Sequence, residues 1–349
     1  MAPGQIPPGQ IPPGQFPPGQ FPSGPPLRGW QAPAPVARPG AVPLRPLRLG
    51  DLVDGAVRIV RRNAAATVGA ALLASVLTLL LPLAVTAGTS MLADLSSWDD
   101  PDVPLGDTEA VLLGITLASW LLGVLLQTLA TILVAGMCAH VTAAAVLGRT
   151  MTMAEAWRAT HGQRWRLVGA AVVTGTAMLL LVVAYVVLVV VASLTGGWPA
   201  GISVGLLGGA ALLAALSWVW VRLQLVVTPV IALEGQRVFA ALSRSSSLTK
   251  GYFWRLLGIM LLVTLVLQII AGMVSLPVTI LALLPSLTGA GSAASFFAEA
   301  AGQGISLVLT TALVTPFSAT LGALLHVDLR MRKEAFDVEL LQRAGARGE

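Results

Sequence analysis

Only 11% of this chain is Asp, Glu, Lys or Arg, so the side chains able to do chemistry can be taken in turn. One group lies between Arg222 and Gly258, in RLQLVVTPVIALEGQRVFAALSRSSSLTKGYFWRLLG: Arg222, Glu234, Arg237, Arg244, Trp254 and Arg255. A second group, Asp328, Arg330 and Glu334, opens the charged ending HVDLRMRKEAFDVELL. Guanidinium and carboxylate groups pair with one another, and arginines beside aromatic rings at the end of an apolar run also meet lipid phosphates. Arg222 closes such a run, where it either snorkels to the interface or contacts a substrate. Glu234 lies twelve positions on, ~18 Å along a continuous helix, and reaches Arg222 only if Pro229 breaks the path. Arg244 and Arg255 stand seven and eighteen positions after Arg237. If one helix runs through Gly251, the three form a single basic stripe.

Catalytic constellations are missing from the sequence. Its histidines are His140, His161 and His326, each expected to stand alone at an interface, where a solvated or hydrogen-bonded imidazole needs no metal and no substrate. There is no GxSxG, no glycine loop of the phosphate-cradling kind and no pair of carboxylates within an apolar run. The acidic stretch holding Asp94, Asp99, Asp100, Asp102, Asp107 and Glu109 matches no calcium-loop spacing and is expected to be a solvated loop. Cys138 is the one cysteine, so no intrachain disulfide forms. No enzymatic activity, cofactor, metal or nucleic-acid partner is expected.

The elements that must carry these residues follow from composition. At 56% hydrophobic residues and a mean hydropathy of +0.83, the chain lies far from the soluble norm. Its apolar runs exceed the ~18 residues of a membrane span. The expected fold is all-α, a polytopic helical membrane bundle of about six spans, near 64–87, 111–147, 167–194, 202–222, 256–276 and 305–325. Three amphipathic elbow helices are expected on the inner surface. The first begins at Leu49, with Leu52, Val53, Ala56 and Val60 on one stripe, aspartates early and arginines late, as the helix dipole favours. The second starts at the capping box Thr152 and Glu155 and ends at Gly162; the third is the Arg222–Gly258 elbow itself.

Three parts result. Residues 1–46 carry a PPGQ repeat followed by Ile or Phe, a proline-rich tail expected to be disordered, either a docking segment or a plain flexible one. Residues 47–327 form the membrane domain, and 328–349 a charged helix and tail with i, i+4 pairs Asp328–Arg332, Arg330–Glu334, Lys333–Asp337 and Glu339–Arg343. All 21 Lys and Arg residues precede the first span, lie in 149–166 or 222–255, or follow the last span. The positive-inside rule therefore expects both termini in the cytoplasm of a plasma-membrane protein. RWRLVG at 164–169 resembles FWRLLG at 253–258. Either a threefold repeat of surface helix plus hairpin or ordinary membrane-entry chemistry produces the likeness.

The elbow with Arg222, Pro229, Glu234, Arg244, Ser245, Leu248, Trp254 and Arg255, the ending DLRMRKEAFDVELL and the opening LRLGDLVDGAVRIVRRN resemble actinobacterial six-span proteins labelled glycerophosphoryl diester phosphodiesterase membrane-domain-like, over about residues 44–341. The resemblance implies the membrane part alone, since the soluble barrel of such hydrolases needs about 250 residues. Two functions remain. One is a non-catalytic scaffold or accessory subunit holding anionic headgroups or a partner protein at the cytoplasmic face. The other is a transporter or lipid-handling permease, favoured by Pro229, Pro277, Pro316 and by Gln127, Gln224 and Gln268 in or near spans. The scaffold is the expected reading. Asp328 and Glu334 are expected to bind basic residues of the elbows and lock the tail beneath the bundle. Reversing the charge of Glu334 should therefore lower thermal stability and assembly, measured by melting and size analysis in detergent.

Overall fold

The computed structural model describes residues 47–92, 107–288 and 293–334; the proline-rich tail, most of the acidic loop and residues 335–349, with the pairs placed there, lie outside it. Among the described residues the structure is all helix and turn. Helix α1 spans Leu49–Arg62, α2 Ala70–Leu92, α3 Asp107–Val146, α4 Met153–Ala159 and α5 Arg164–Val219. Then come α6 at Val227–Glu234, α7 at Val238–Thr249, α8 at Phe253–Thr288 and α9 at Ala293–Glu334. Wider π turns at Ala65–Gly69 and Trp220–Gln224 lead into α2 and out of α5.

Among the described residues five helical stretches are long and apolar enough to cross a membrane, and the chain is a multi-pass helical membrane protein. Helix α5 doubles back within its 56 residues at Gly197, whose φ of 69° is in the left-handed region that a side chain disfavours. Its two arms lie side by side: Tyr185 donates its hydroxyl to the carbonyl of Gly205 at 2.8 Å, and a Cβ on Gly201 would meet the Ser193 hydroxyl. Counting these arms separately yields the six expected spans. A short helix precedes each hairpin, α1 before α2 and α3, α4 before the arms of α5, and α7 before α8 and α9. Helix α6 has no counterpart in the other two units.

The elbows form as their local chemistry dictates. In α1, Leu52, Ala56, Ile59 and Val60 are buried while Arg61 and Arg62 end the exposed face. At α4, Glu155 N–H donates to the Thr152 hydroxyl at 3.3 Å, and the Thr152 N–H donates to the Glu155 carboxylate at 2.8 Å. Both halves of the expected capping box are therefore present. The expected basic stripe is not. The chain leaves the helix at Gly235, and again at Gly251, where φ is 88°. Arg237, Arg244 and Arg255 thus stand on the N-cap of α7, within α7 and on α8.

Helix α9 packs against α1, α2, α3, α6, α7 and α8. Its last turns carry Leu321, Leu324, Leu325 and Leu329, all fully buried with Leu47, Leu52, Ile59, Ile231 and Leu256. The densest core thus lies at the end of the bundle where the elbows gather, hereafter the charged face. Toward the opposite end the helices keep apolar side chains exposed, as a lipid-facing surface does. No break separates residues 327 and 328, so the charged ending begins as the last turns of α9 rather than as a separate helix.

Close helix contact in the span region depends on small residues. A Cβ on Gly302 of α9 would sit 2.1 Å from the Ala282 Cβ of α8, and one on Gly123 of α3 would sit 2.5 Å from the Pro82 ring of α2. Gly302→Ile should lower stability by about 1–3 kcal/mol, the usual cost of overpacking. Thermal unfolding in detergent, compared with Gly258→Ile where the added Cβ meets nothing within 4 Å, checks this.

Candidate functional site: the charged face

Two clusters of charge sit where α6, α7, the start of α8 and the end of α9 meet. In the first, the carboxylate of Asp328 is completely buried and accepts from three directions. Arg255 donates through Nη1 to Oδ2 at 2.6 Å, Arg332 donates through Nε to both oxygens at 3.0 Å, and the backbone N–H of Leu47 donates to Oδ1 at 2.7 Å. The same arginines also hold the carbonyl of Leu47, Arg255 Nη2 at 2.8 Å and Arg332 Nη2 at 3.0 Å. A single residue at the head of α1 is thereby pinned by both of its backbone polar groups. A buried carboxylate must replace its hydration with donors of this kind.

The second cluster centres on Glu234, at the end of α6. Arg244 of α7 donates to its Oε2 at 3.2 Å, His326 of α9 is 3.1 Å from its Oε1, and Arg330 stands 3.8 Å away. Arg244 also pairs with Glu334, which accepts from Arg330 at 3.0 Å. Partial burial works against the charge of Arg244, but the carboxylates of Glu234 and Glu334 outweigh it and hold the guanidinium above its ordinary range. Lys333 closes this side by donating to the carbonyls of Ser247 and Lys250 at 2.6 and 2.8 Å.

The structure therefore brings together six of the nine residues singled out in sequence: Glu234, Arg244, Asp328, Arg330, Glu334 and Arg255. Arg222 does not reach Glu234. Its guanidinium approaches the Ser246 carbonyl at 3.4 Å and the Trp218 ring at 5.7 Å, while its own carbonyl accepts from Ser245 at 3.0 Å. Arg237 is exposed, and Trp254 is 80% exposed with its ring edge-on to Phe253. These two project from the face rather than join its interior.

His326, expected to stand alone, is buried against Glu234 because α9 carries it under the elbow. Three further residues of the face were not among those nine. Leu47 acts through its backbone. Asn63 accepts from the Met151 N–H at 3.1 Å and so ties the end of α1 to the start of α4. Arg166 donates to the Gly235 carbonyl at 2.7 Å, joining α5 to the end of α6. Among the described residues no group of three or more His, Cys, Asp and Glu is placed to hold a metal ion.

Nearly every charge in these clusters is spent on another element of the same chain, so the arrangement fastens elements rather than presents a reactive group. Asp328→Ala should cost about 3–5 kcal/mol, as breaking a buried pair does when the cations lose their partner. Arg255→Gln should cost less, because Arg332 remains on the carboxylate. Melting, with limited proteolysis around residue 47, checks both. No protein-family model, curated protein or solved structure matches the chain.

Proposed function

We propose that the protein is a non-catalytic membrane scaffold or accessory subunit, seated in the plasma membrane with both termini in the cytoplasm. In this reading its charged face meets anionic headgroups or a partner protein. We place it with the actinobacterial six-span proteins that its elbow and ending resemble. The observation that carries the proposal is the division of labour on that face. Glu234, Arg244, Arg255, Asp328 and Glu334 are turned inward and hold the elements together, whereas Arg237, Trp254, Trp165 and Phe239 are exposed around them. Exposed aromatic rings mixed with arginines suit the headgroup layer.

One polar group within the spans, Gln127, supports this reading over transport. Gln127 of α3 donates to the Ser75 hydroxyl at 3.1 Å and accepts from Thr78, both on α2. It is consumed in joining two helices, the ordinary role of an amide between spans. Mass spectrometry of the protein extracted gently with its native lipid tests the proposal. Anionic phospholipid or a protein partner should travel with it at a fixed ratio and diminish in Arg237→Glu and Trp254→Ala. Emergence with a bound small solute and neither lipid nor partner would overturn the scaffold reading in favour of transport.

A further inference from the structure

An apolar groove of about 640 Å³ opens between α2, α3 and α4, within the about 300–1,000 Å³ of small-molecule sites. Its walls include Leu73 and Leu77 of α2, Leu133 and Met137 of α3, and Met153 and Trp157 of α4. Two of these helices are membrane spans, and Leu73 and Leu77 are more than half exposed, so the groove faces the hydrocarbon. Its deep end stops near Thr78, whose hydroxyl is already engaged by Gln127. Nothing polar is offered along its length except at the mouth.

The mouth is basic. The guanidinium of Arg164 lies 3.7 Å over the Trp157 ring and donates to the Trp157 carbonyl at 2.8 Å. Arg158 follows Trp157 on α4. The Asn63–Met151 hydrogen bond draws the end of α1 to the start of the same helix, while Arg61 and Arg62 line a separate cavity with Asp54, Val57 and Arg58. The carboxylate nearby, Glu155, is exposed and takes the Thr152 N–H; that bond and the neighbouring Arg158 and Arg149 hold it below the ordinary carboxylate range.

An apolar slot with a guanidinium stacked on the ring of one wall has the polarity profile of one molecule, an acyl chain bearing a phosphate. We propose that this groove seats one acyl chain of an anionic phospholipid, with its headgroup phosphate on the arginines around Trp157. The inference rests on the reading of the charged face as lipid-contacting and gives that face a defined site.

The test places the full chain in phosphatidylcholine vesicles doped with a photoactivatable phosphatidylglycerol, diazirine in one acyl chain, and separately with the same probe on phosphatidylcholine. Labelled peptides are then mapped. Phosphatidylglycerol should label residues 70–78 and 130–137 in preference to phosphatidylcholine. Arg158→Gln and Arg164→Gln should each weaken that labelling roughly fivefold, from the usual worth of one arginine near an anionic surface. Ala130→Phe, which fills the groove, should abolish it; the map of the unaltered protein decides the matter if that variant does not fold. Equal labelling by both lipids, or labelling elsewhere, overturns the groove site. If anionic lipid still travels with the extracted protein in that case, the scaffold reading stands without it. If neither lipid nor partner travels, that reading fails first and the groove fails with it.

Discussion

A carboxylate cut off from water keeps its charge only where cations and N–H donors stand in for hydration, and Asp328 finds its donors on three separate parts of the chain. One is four residues along its own helix, one lies on α8 and one is the backbone ahead of α1. Because the geometry is satisfied at every lone pair in use, the carboxylate joins these pieces where apolar packing alone would leave their register open. The leucines of α9 around it then pack against α1, α6 and α8 as a consequence of that register. Whether such a buried pair adds net stability over an apolar substitute depends on context; its selectivity for one arrangement is evident in the pinned Leu47.

Much of the architecture was legible in the residues. The length and polarity of the runs located the crossings, Thr152 with Glu155 marked the start of α4, and the aspartate-to-arginine order of α1 agreed with its dipole. These are local features, decided within a few residues. The face was legible only in composition. Asp328 and Glu334 were expected to meet elbow arginines, yet which arginine each meets depends on contacts 73 and 90 positions apart, as in Asp328 with Arg255 and Glu334 with Arg244. Leu47 could not be read at all, because a backbone N–H and carbonyl look the same in every residue. The basic stripe was conditional on one helix through Gly251, and that glycine, with φ of 88°, ends the helix between Arg244 and Arg255. His326 was misjudged because its partner lies 92 residues away.

The two halves of the molecule are held by different physics. At the charged face, packing resembles that of a soluble core, with large aliphatic side chains excluded from solvent and polar groups paired. In the crossing region, glycine and alanine bring helices together and a few hydroxyl and amide groups join them, since lipid supplies no hydrophobic drive for helices to associate. Helix α5 shows the second regime alone: its arms contact each other through Tyr185 and the glycines opposite it and leave most of their surface outward.

The bonds that fix Leu47 span 281 and 285 positions of sequence. A ribosome releases the head of α1 long before it makes Asp328 and Arg332, the residues that will receive it. Until then the apolar side of the first amphipathic helix lacks the core it packs into in the finished fold. Only when the last crossing is in place does the ring close. Contacts of such long reach form late and slowly, so an incomplete chain carries a visible mark, an undocked α1, by which unfinished copies differ from finished ones.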